Sequence, residues 1–192
     1  MRRPLPTADY RLPTGINRKL LNSELNRLTP DAFRKTLKMP VVVILDNIRS
    51  QHNIGAAFRT ADAFCIEKII LCGICAVPPS AEIHKTALGA EDTVAWEYAA
   101  DAVAAITQLQ QAGYIAVAVE QAERRTLLHA FSPQTDAKYA LIFGNEVQGV
   151  QQQAVDACDD CLEIPQFGTK HSLNVSVSIG IVLWDFRTKW KL

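Results

Sequence analysis

The stretch PVVVILDNIRSQHNIGAAFRTADAF, residues 40–64, decides the fold class of this 192-residue chain. Residues 40–46 form a continuous and largely β-branched apolar run, which is typical of a strand covered on both faces. Residues 54–64 favour a helix, and Asn53 stands where a helix-capping side chain is expected. An apolar strand that leads through a polar loop into a helix is the building unit of a parallel α/β domain.

The same alternation continues to the C-terminus. Apolar runs predict four more strands, and two helical patterns lie between them, the first closed by Gly113 in a C-terminal capping position. The strands are predicted at 68–72, 114–120, 139–144 and 161–165, and the helices at 101–112 and 150–158. We therefore predict one α/β domain over residues 39–192, with a mainly parallel sheet and helices on both faces.

Residues 1–38 differ from the rest of the chain and are predicted to be a short, basic, partly helical extension. They contain nine Lys or Arg against three acidic residues, whereas the whole chain has 20 of each. Residues 17–28 show helical periodicity. The excess charge indicates either a phosphate-rich partner or a solvated basic helix. The N-terminus has no apolar stretch behind its arginines, and no run approaches the ~20 apolar residues of a membrane span, so a cytoplasmic protein is expected.

Two cysteine pairs have the CxxC spacing of zinc ligands, Cys72 with Cys75 and Cys158 with Cys161. Cys72 ends one predicted strand and Cys161 begins another. In a parallel sheet these positions lie at opposite edges, so one tetrahedral site could not collect all four thiols. Buried small hydrophobic residues are the favoured interpretation, and no metal is expected.

Three polar loops are predicted at the carboxyl ends of strands, where parallel sheets bind their ligands. They are DNIRSQHNIGAAFR after the first strand, GNEVQG at 144–149, and PQFGTKHS at 165–172. Gly144 and Gly149 match half of a P-loop, but the Lys and Ser or Thr that should follow are absent. No dinucleotide fingerprint, nucleophile elbow or metal-binding His/Glu pair is present. The remaining candidates are Asn53, Arg59, Glu146, Ser172 and Asn174.

These loops carry a resemblance. NIRSQHNIGAAFRTADAF, FGNEVQG and IPQFGTKHSLNVSVSIGI resemble the three ordered motifs of the SpoU/TrmH-type RNA ribose 2′-O-methyltransferases of the SPOUT superfamily. The resemblance covers about residues 40–188. It implies a deep C-terminal trefoil knot, an exception to the rule that chains are not knotted. It also implies an S-adenosylmethionine cofactor, RNA as substrate and a homodimer. The competing hypothesis is a non-catalytic RNA-binding protein that retains the knotted fold.

The resemblance also implies which residues form the site. Main-chain groups would hold the cofactor at Val119, Gly144, Ile164, Gln166, Ser172 and Leu173. Family members often have Met where Gln166 stands, and a main-chain contact survives that change. Arg59 would bind the phosphate beside the target ribose and stabilise the developing alkoxide, since a guanidinium is a poor base. In the homodimer it would serve the partner subunit's cofactor.

The other catalytic candidates would position these groups. Asn53 would orient Arg59 or the substrate, and Glu146 would orient Asn53 and Asn174 or act as a structural carboxylate. Ser172 would cap the last helix while contacting the cofactor. Lys85 and His171 are either RNA contacts or ordinary surface residues. The short basic extension favours tRNA over rRNA as the substrate.

The C-terminal stretch IPQFGTKHSLNVSVSIGIVLWDF (164–186) fits both a strand and a helix. Its residues alternate between apolar and polar from Leu173 to Ile179, but they also form two apolar helical stripes. The first stripe is Leu173, Val177, Ile181 and Trp184, and the second is Val175, Ile179, Val182 and Phe186. We predict a helix that starts near Ser172 and packs on the sheet on one side and on a partner subunit on the other.

Overall fold

A computed structural model describes residues 18–190 of the chain. These residues form seven strands and six α-helices. The strands are β1 (Met39–Asp46), β2 (Ile66–Cys72), β3 (Ala95–Ala99), β4 (Tyr114–Val119), β5 (Thr126–Leu127), β6 (Lys138–Gly144) and β7 (Asp160–Glu163). The helices are α1 (Pro30–Lys35), α2 (Gln51–Phe64), α3 (Ala81–Ala87), α4 (Ala102–Gln111), α5 (Gln152–Ala157) and α6 (Val175–Lys189).

The strands form one sheet in the order β3-β2-β1-β6-β4-β7-β5, and every pairing is parallel. The carboxyl ends of β1, β6, β4 and β7 therefore lie side by side at one edge. Asp46 and Gly144, the last residues of β1 and β6, are directly paired. This arrangement confirms the predicted parallel sheet and brings together the three polar loops.

Helices cover both faces of the sheet, as predicted. On one face, Val41, Val43 and Leu45 of β1 pack in the same buried cluster as residues of α2, α3 and α6. On the other face, Val42 and Ile44 pack with residues of α4 and α5. Alternate residues of β1 thus enter two separate cores, which explains why its sequence is apolar without a break.

Residues N-terminal to β1 and the edge of the sheet depart from the predictions. The prediction of an α-helix over 17–28 was wrong. Within the described part of this range, residues 18–28, the only helical turn is a short 3₁₀ segment at Asn22–Glu24. The strand β3 and the helices α1 and α3 were not predicted. Phe33 of α1 is buried in the core, so the last residues of the predicted extension pack onto the domain. The boundary between extension and domain stays a prediction.

The C-terminal stretch is helical from Val175, three residues later than predicted, and its two apolar stripes separate into a buried one and an exposed one, with Leu173 lying before the helix. Val175, Ile179, Val182 and Phe186 are buried. Val177, Ile181 and Trp184 remain 49%, 37% and 55% exposed. The end of α6 is held beneath the turn that follows β5, because Lys189 Nζ donates to the carbonyl oxygens of Leu128 and Phe131, each at 2.8 Å. The trefoil knot stays a prediction, and no helix within residues 18–190 is long and apolar enough to cross a membrane.

The two cysteine pairs lie far apart. Cys72 ends β2 and Cys161 is near the start of β7, with three strands between them, so their spacing across the sheet is about 19 Å. Within residues 18–190, no group of three or more His, Cys, Asp or Glu is placed to hold a metal ion. Burial raises the pKa of Cys72 to about 12 and that of Cys75 to about 11. Burial also raises the pKa of Cys158 to about 12.

These thiols should be unreactive in the folded protein, because the thiolate is the nucleophile and it is scarce below pH 9. At pH 8, we expect the native chain to react with Ellman's reagent at no more than Cys65, and the denatured chain at all five cysteines. A Cys65→Ser variant should therefore show no rapid reaction. Rapid labelling of this variant, confirmed at Cys72 or Cys158 by peptide mapping, would contradict the burial of these groups.

Candidate active site

A pocket of about 370 Å³ opens at the carboxyl edge of the sheet, between the ends of β4, β6 and β7. All of the residues that the resemblance assigned to cofactor binding line it: Val119, Gly144, Ile164, Gln166, Ser172 and Leu173. Glu146 lines it as well. The volume is within the usual range for small-molecule sites. Residues from four separate parts of the sequence therefore meet at one cavity.

The loop GNEVQG forms one wall of this pocket because it closes on itself. Asn145 Oδ1 accepts hydrogen bonds from the backbone N–H groups of Val147 (3.0 Å) and Gln148 (2.9 Å). The N–H of Gly149 donates to the carbonyl of Asn145 at 2.9 Å. A Cβ atom on Gly144 would lie 1.9 Å from the carbonyl carbon of Gly149. Only glycine at position 144 permits this close return of the backbone.

Two carboxylates fasten this loop to the sheet. Asp46, fully buried at the end of β1, accepts from the N–H of Gln151 at 2.9 Å and from Asn47 Nδ2 at 2.7 Å. Glu120, which follows β4, accepts from the N–H of Val150 at 3.0 Å. Charge-assisted bonds of this kind are stronger than neutral ones, so the pocket wall has a fixed position.

A chain of side-chain hydrogen bonds links three elements at the rim of the site. Asn53 Nδ2 donates to Glu146 Oε1, and Asn174 Nδ2 donates to Asn53 Oδ1 at 3.3 Å. The contact expected between Glu146 and Asn53 is thus present. It connects the loop after β6 with α2 and with the start of α6.

Two capping predictions were wrong. Ser50, not Asn53, caps α2, since its side chain accepts from the N–H of Asn53 at 3.3 Å. The helix begins one turn earlier than expected, which frees the Asn53 side chain to reach Glu146. Similarly, α6 begins at Val175 and Asn174 caps it, accepting from the N–H of Ser176 at 2.9 Å. Ser172 instead lies in the pocket wall.

Arg59 is not among the pocket residues. It lies on α2 with its side chain exposed, and within residues 18–190 it makes no hydrogen bond or ion pair. Six residues separate it from Asn53, which places the two side chains about 120° apart around the helix. Lys85 is also exposed, and it pairs with Glu82 at 2.5 Å. The monomer therefore does not bring Arg59 to its own pocket.

Several pocket residues were not predicted from the sequence, chiefly Glu120, Gln121, Asn145 and Gln148. His171 also lines the pocket, and its carbonyl accepts from Gln121 Nε2 at 2.6 Å. Their position in the sequence could have indicated Glu120 and Gln121, since both directly follow the strand whose last residue, Val119, the resemblance assigns to the cofactor.

The fold and the pocket define a class, the parallel α/β proteins with a ligand pocket at the carboxyl edge of the sheet. This chain belongs to the SpoU rRNA methylase family, whose model matches residues 40–184. The chain is 32% identical over 157 residues to a 23S rRNA (guanosine-2'-O-)-methyltransferase, RlmB, of Neisseria meningitidis, covering 82% of this chain and 62% of that protein. For the RlmB of Nitrosomonas europaea, the identity is 34% over 145 residues, covering 76% and 55%. The chain thus spans about three fifths of the length of these curated relatives.

Solved structures are similar over most of the chain. A TrmH/SpoU tRNA modifying enzyme of A. aeolicus superposes with a TM-score of 0.73 at 25% identity, covering 83% of this chain and 81% of that one. An rRNA methyltransferase of Sinorhizobium meliloti, solved with AdoMet bound, gives a TM-score of 0.74 at 26% identity, with 86% and 62% covered.

Proposed function

We propose that the protein is an S-adenosylmethionine-dependent RNA methyltransferase that modifies a ribose 2′-hydroxyl. The observation that carries this proposal is the pocket, which gathers every residue that the resemblance assigns to the cofactor. Its volume of about 370 Å³ suits a small-molecule ligand such as a nucleoside with an amino-acid tail. The relatives named as 2'-O-methyltransferases and the AdoMet-bound neighbour support the same activity.

The residues of the site would divide the work between positioning and charge stabilisation. S-adenosylmethionine, when bound, supplies a methyl group on a positively charged sulfonium. Gly144, Ile164 and Leu173 line the pocket and would hold the cofactor through main-chain groups, and Glu146, Asn53 and Asn174 hold its rim through their hydrogen bonds. Aligning the ribose hydroxyl with the pocket lowers the entropic cost of the reaction.

Arg59 would act at a pocket of the partner subunit in a homodimer. The side chain is exposed and does not line its own pocket, so a second copy of the chain could receive it. There it would bind the phosphate beside the target ribose and stabilise the developing alkoxide. The proton passes to that phosphate or to water.

We propose rRNA as the RNA class, in place of the tRNA that the short basic extension favoured. The curated relatives are named as 23S rRNA enzymes, whereas one structural neighbour is named as a tRNA modifying enzyme. The basic residues of the extension would add salt-dependent phosphate contacts to either RNA. A cytoplasmic location remains the expectation for an enzyme with this substrate.

Methyl transfer from labelled S-adenosylmethionine tests the activity and the substrate together. Purified protein would be incubated with protein-free 23S rRNA, 16S rRNA and bulk tRNA, and ribose methylation would be mapped by resistance to alkaline cleavage. We expect label in 23S rRNA at a single nucleotide. Label in tRNA alone would reject the rRNA assignment. Binding of RNA without transfer to any of the three would support the non-catalytic alternative.

If the exposed stripe on α6 forms the interface of a homodimer, a charge placed in it should prevent the two subunits from associating. Ile181→Glu puts a charge into an apolar interface and should prevent association. The variant should therefore sediment at the 21.2 kDa mass of one chain. Ile74→Glu is a matched control, since Ile74 is 58% exposed but lies outside this stripe. It should sediment as the wild-type dimer does. A wild-type protein that is monomeric at micromolar concentration would contradict the dimer.

A further inference from the structure

The pocket has an uneven charge. Two carboxylates, Glu120 and Glu146, line it, and none of the described residues around it is Lys or Arg. His171 is the only other titratable side chain among these described residues. A pocket with this lining favours a ligand that carries positive charge. S-adenosylmethionine has such a charge on its sulfur, whereas its product S-adenosylhomocysteine has a neutral thioether there.

Both carboxylate oxygens of Glu120 are fixed by backbone N–H groups. Its Oε1 accepts from the N–H of Gln121 at 2.8 Å, and its Oε2 accepts from the N–H of Val150 at 3.0 Å. Each oxygen keeps a second lone pair for a ligand. Arg125, on the same segment, is engaged by Glu163 at 2.6 Å, and so it does not neutralise Glu120.

We infer that Glu120 is a specificity-determining residue, whose carboxylate raises the affinity of the pocket for the cationic methyl donor relative to the neutral product. This inference rests on the proposed function, because it assumes that S-adenosylmethionine is the ligand. It assigns a role to a residue outside the three sequence motifs. The physical basis is that a charge fixed beforehand by backbone N–H groups needs no reorganisation when the ligand arrives.

Calorimetric titration of three ligands tests the inference without any RNA. The ligands are S-adenosylmethionine, S-adenosylhomocysteine and sinefungin, in which an amine-bearing carbon replaces the sulfonium and keeps the positive charge. In Glu120→Gln, we expect the affinity for both cations to fall about five- to tenfold relative to the affinity for S-adenosylhomocysteine. The matched control Glu123→Gln removes the same charge from the same segment, at an exposed residue that does not line this pocket, and should leave the ratio unchanged.

The ratio of the affinity for the cationic ligands to the affinity for S-adenosylhomocysteine separates an effect of the Glu120 charge from an effect on the shape of the loop. If Glu120 only holds the loop after β6, then Glu120→Gln weakens all three ligands equally, and that result overturns the inference. Glu120→Asp keeps the charge and should keep the wild-type ratio even if the loop shifts, which covers the case of a poorly folded glutamine variant. A wild-type protein that binds none of the three would instead reject the proposed cofactor, and the inference with it.

Discussion

Arg59→Ala should lower the rate of methyl transfer about 10²- to 10³-fold while leaving the affinity for S-adenosylmethionine unchanged. The reason is the position of the side chain, which is exposed on α2 and outside the pocket that its own subunit forms. If it contacts RNA and the reacting oxygen in a partner subunit, only steps that involve RNA depend on it. Single-turnover transfer and calorimetric binding of the cofactor, measured on the same preparation, separate the two effects.

Two controls make this result specific. Arg59→Lys retains the charge but loses the planar fork that binds a phosphate through two bonds, so it should recover part of the rate. Arg124→Ala removes an exposed arginine that lies outside the pocket and should transfer at the wild-type rate. An equal loss of cofactor affinity in Arg59→Ala would show that the residue belongs to the cofactor site itself.

The action of Arg59 across the dimer interface has its own test. Mixing Arg59→Ala with Glu146→Gln chains would form hybrid dimers in which one of the two sites has both residues intact. If Arg59 acts across the interface, the mixture should regain up to about a quarter of the wild-type activity, from the half of the dimers that are hybrids. If each subunit used its own Arg59, both sites of a hybrid dimer would stay defective, because every chain carries one of the two substitutions. The mixture would then regain no activity.

The sequence predicted the buried elements of the fold better than the peripheral ones. β1 was predicted because burial on both faces gives a strand a continuous apolar run. α6 was predicted because its apolar residues recur at helical spacing. β3 was missed because it is an edge strand whose residues are mostly exposed, so its sequence AWEYA lacks a continuous apolar run. α3 has only seven residues, follows two prolines and is capped by Ser80, which leaves too short a pattern to identify.

The candidate site shows a similar division. The six residues that the resemblance assigned to the cofactor do line one pocket, since loops at the ends of parallel strands must converge, while their binding roles stay a prediction. The capping assignments failed because Ser50 and Asn53 are both good caps, and only tertiary contacts choose between them. Here the contact between Asn53 and Glu146 joins residues 93 positions apart. Glu120 was not predicted because the N–H group that fixes its carboxylate belongs to Val150, which no local pattern connects to it.

Gly144→Ala should be the most damaging glycine-to-alanine change among the glycines that the structure describes. The added Cβ would lie 1.9 Å from the carbonyl carbon of Gly149 and 2.0 Å from the nitrogen of Val150. Both are backbone atoms of a loop fastened by Asp46 and Glu120, so neither can move without breaking charge-assisted hydrogen bonds. Forcing extra volume into such a site costs about 3 kcal/mol, which for this length lowers the melting temperature by about 6–12 °C.

The same substitution should also abolish cofactor binding, because Gly144 and the displaced loop form one wall of the pocket. Gly168→Ala is the matched control: it lies in the loop after β7, and a Cβ there would meet nothing within 4 Å. Thermal unfolding and calorimetric titration should therefore leave Gly168→Ala close to wild type and show both losses in Gly144→Ala. A Gly144→Ala protein that melts normally but no longer binds S-adenosylmethionine would mean that the loop can shift without cost, and that its observed closure serves the ligand rather than the fold.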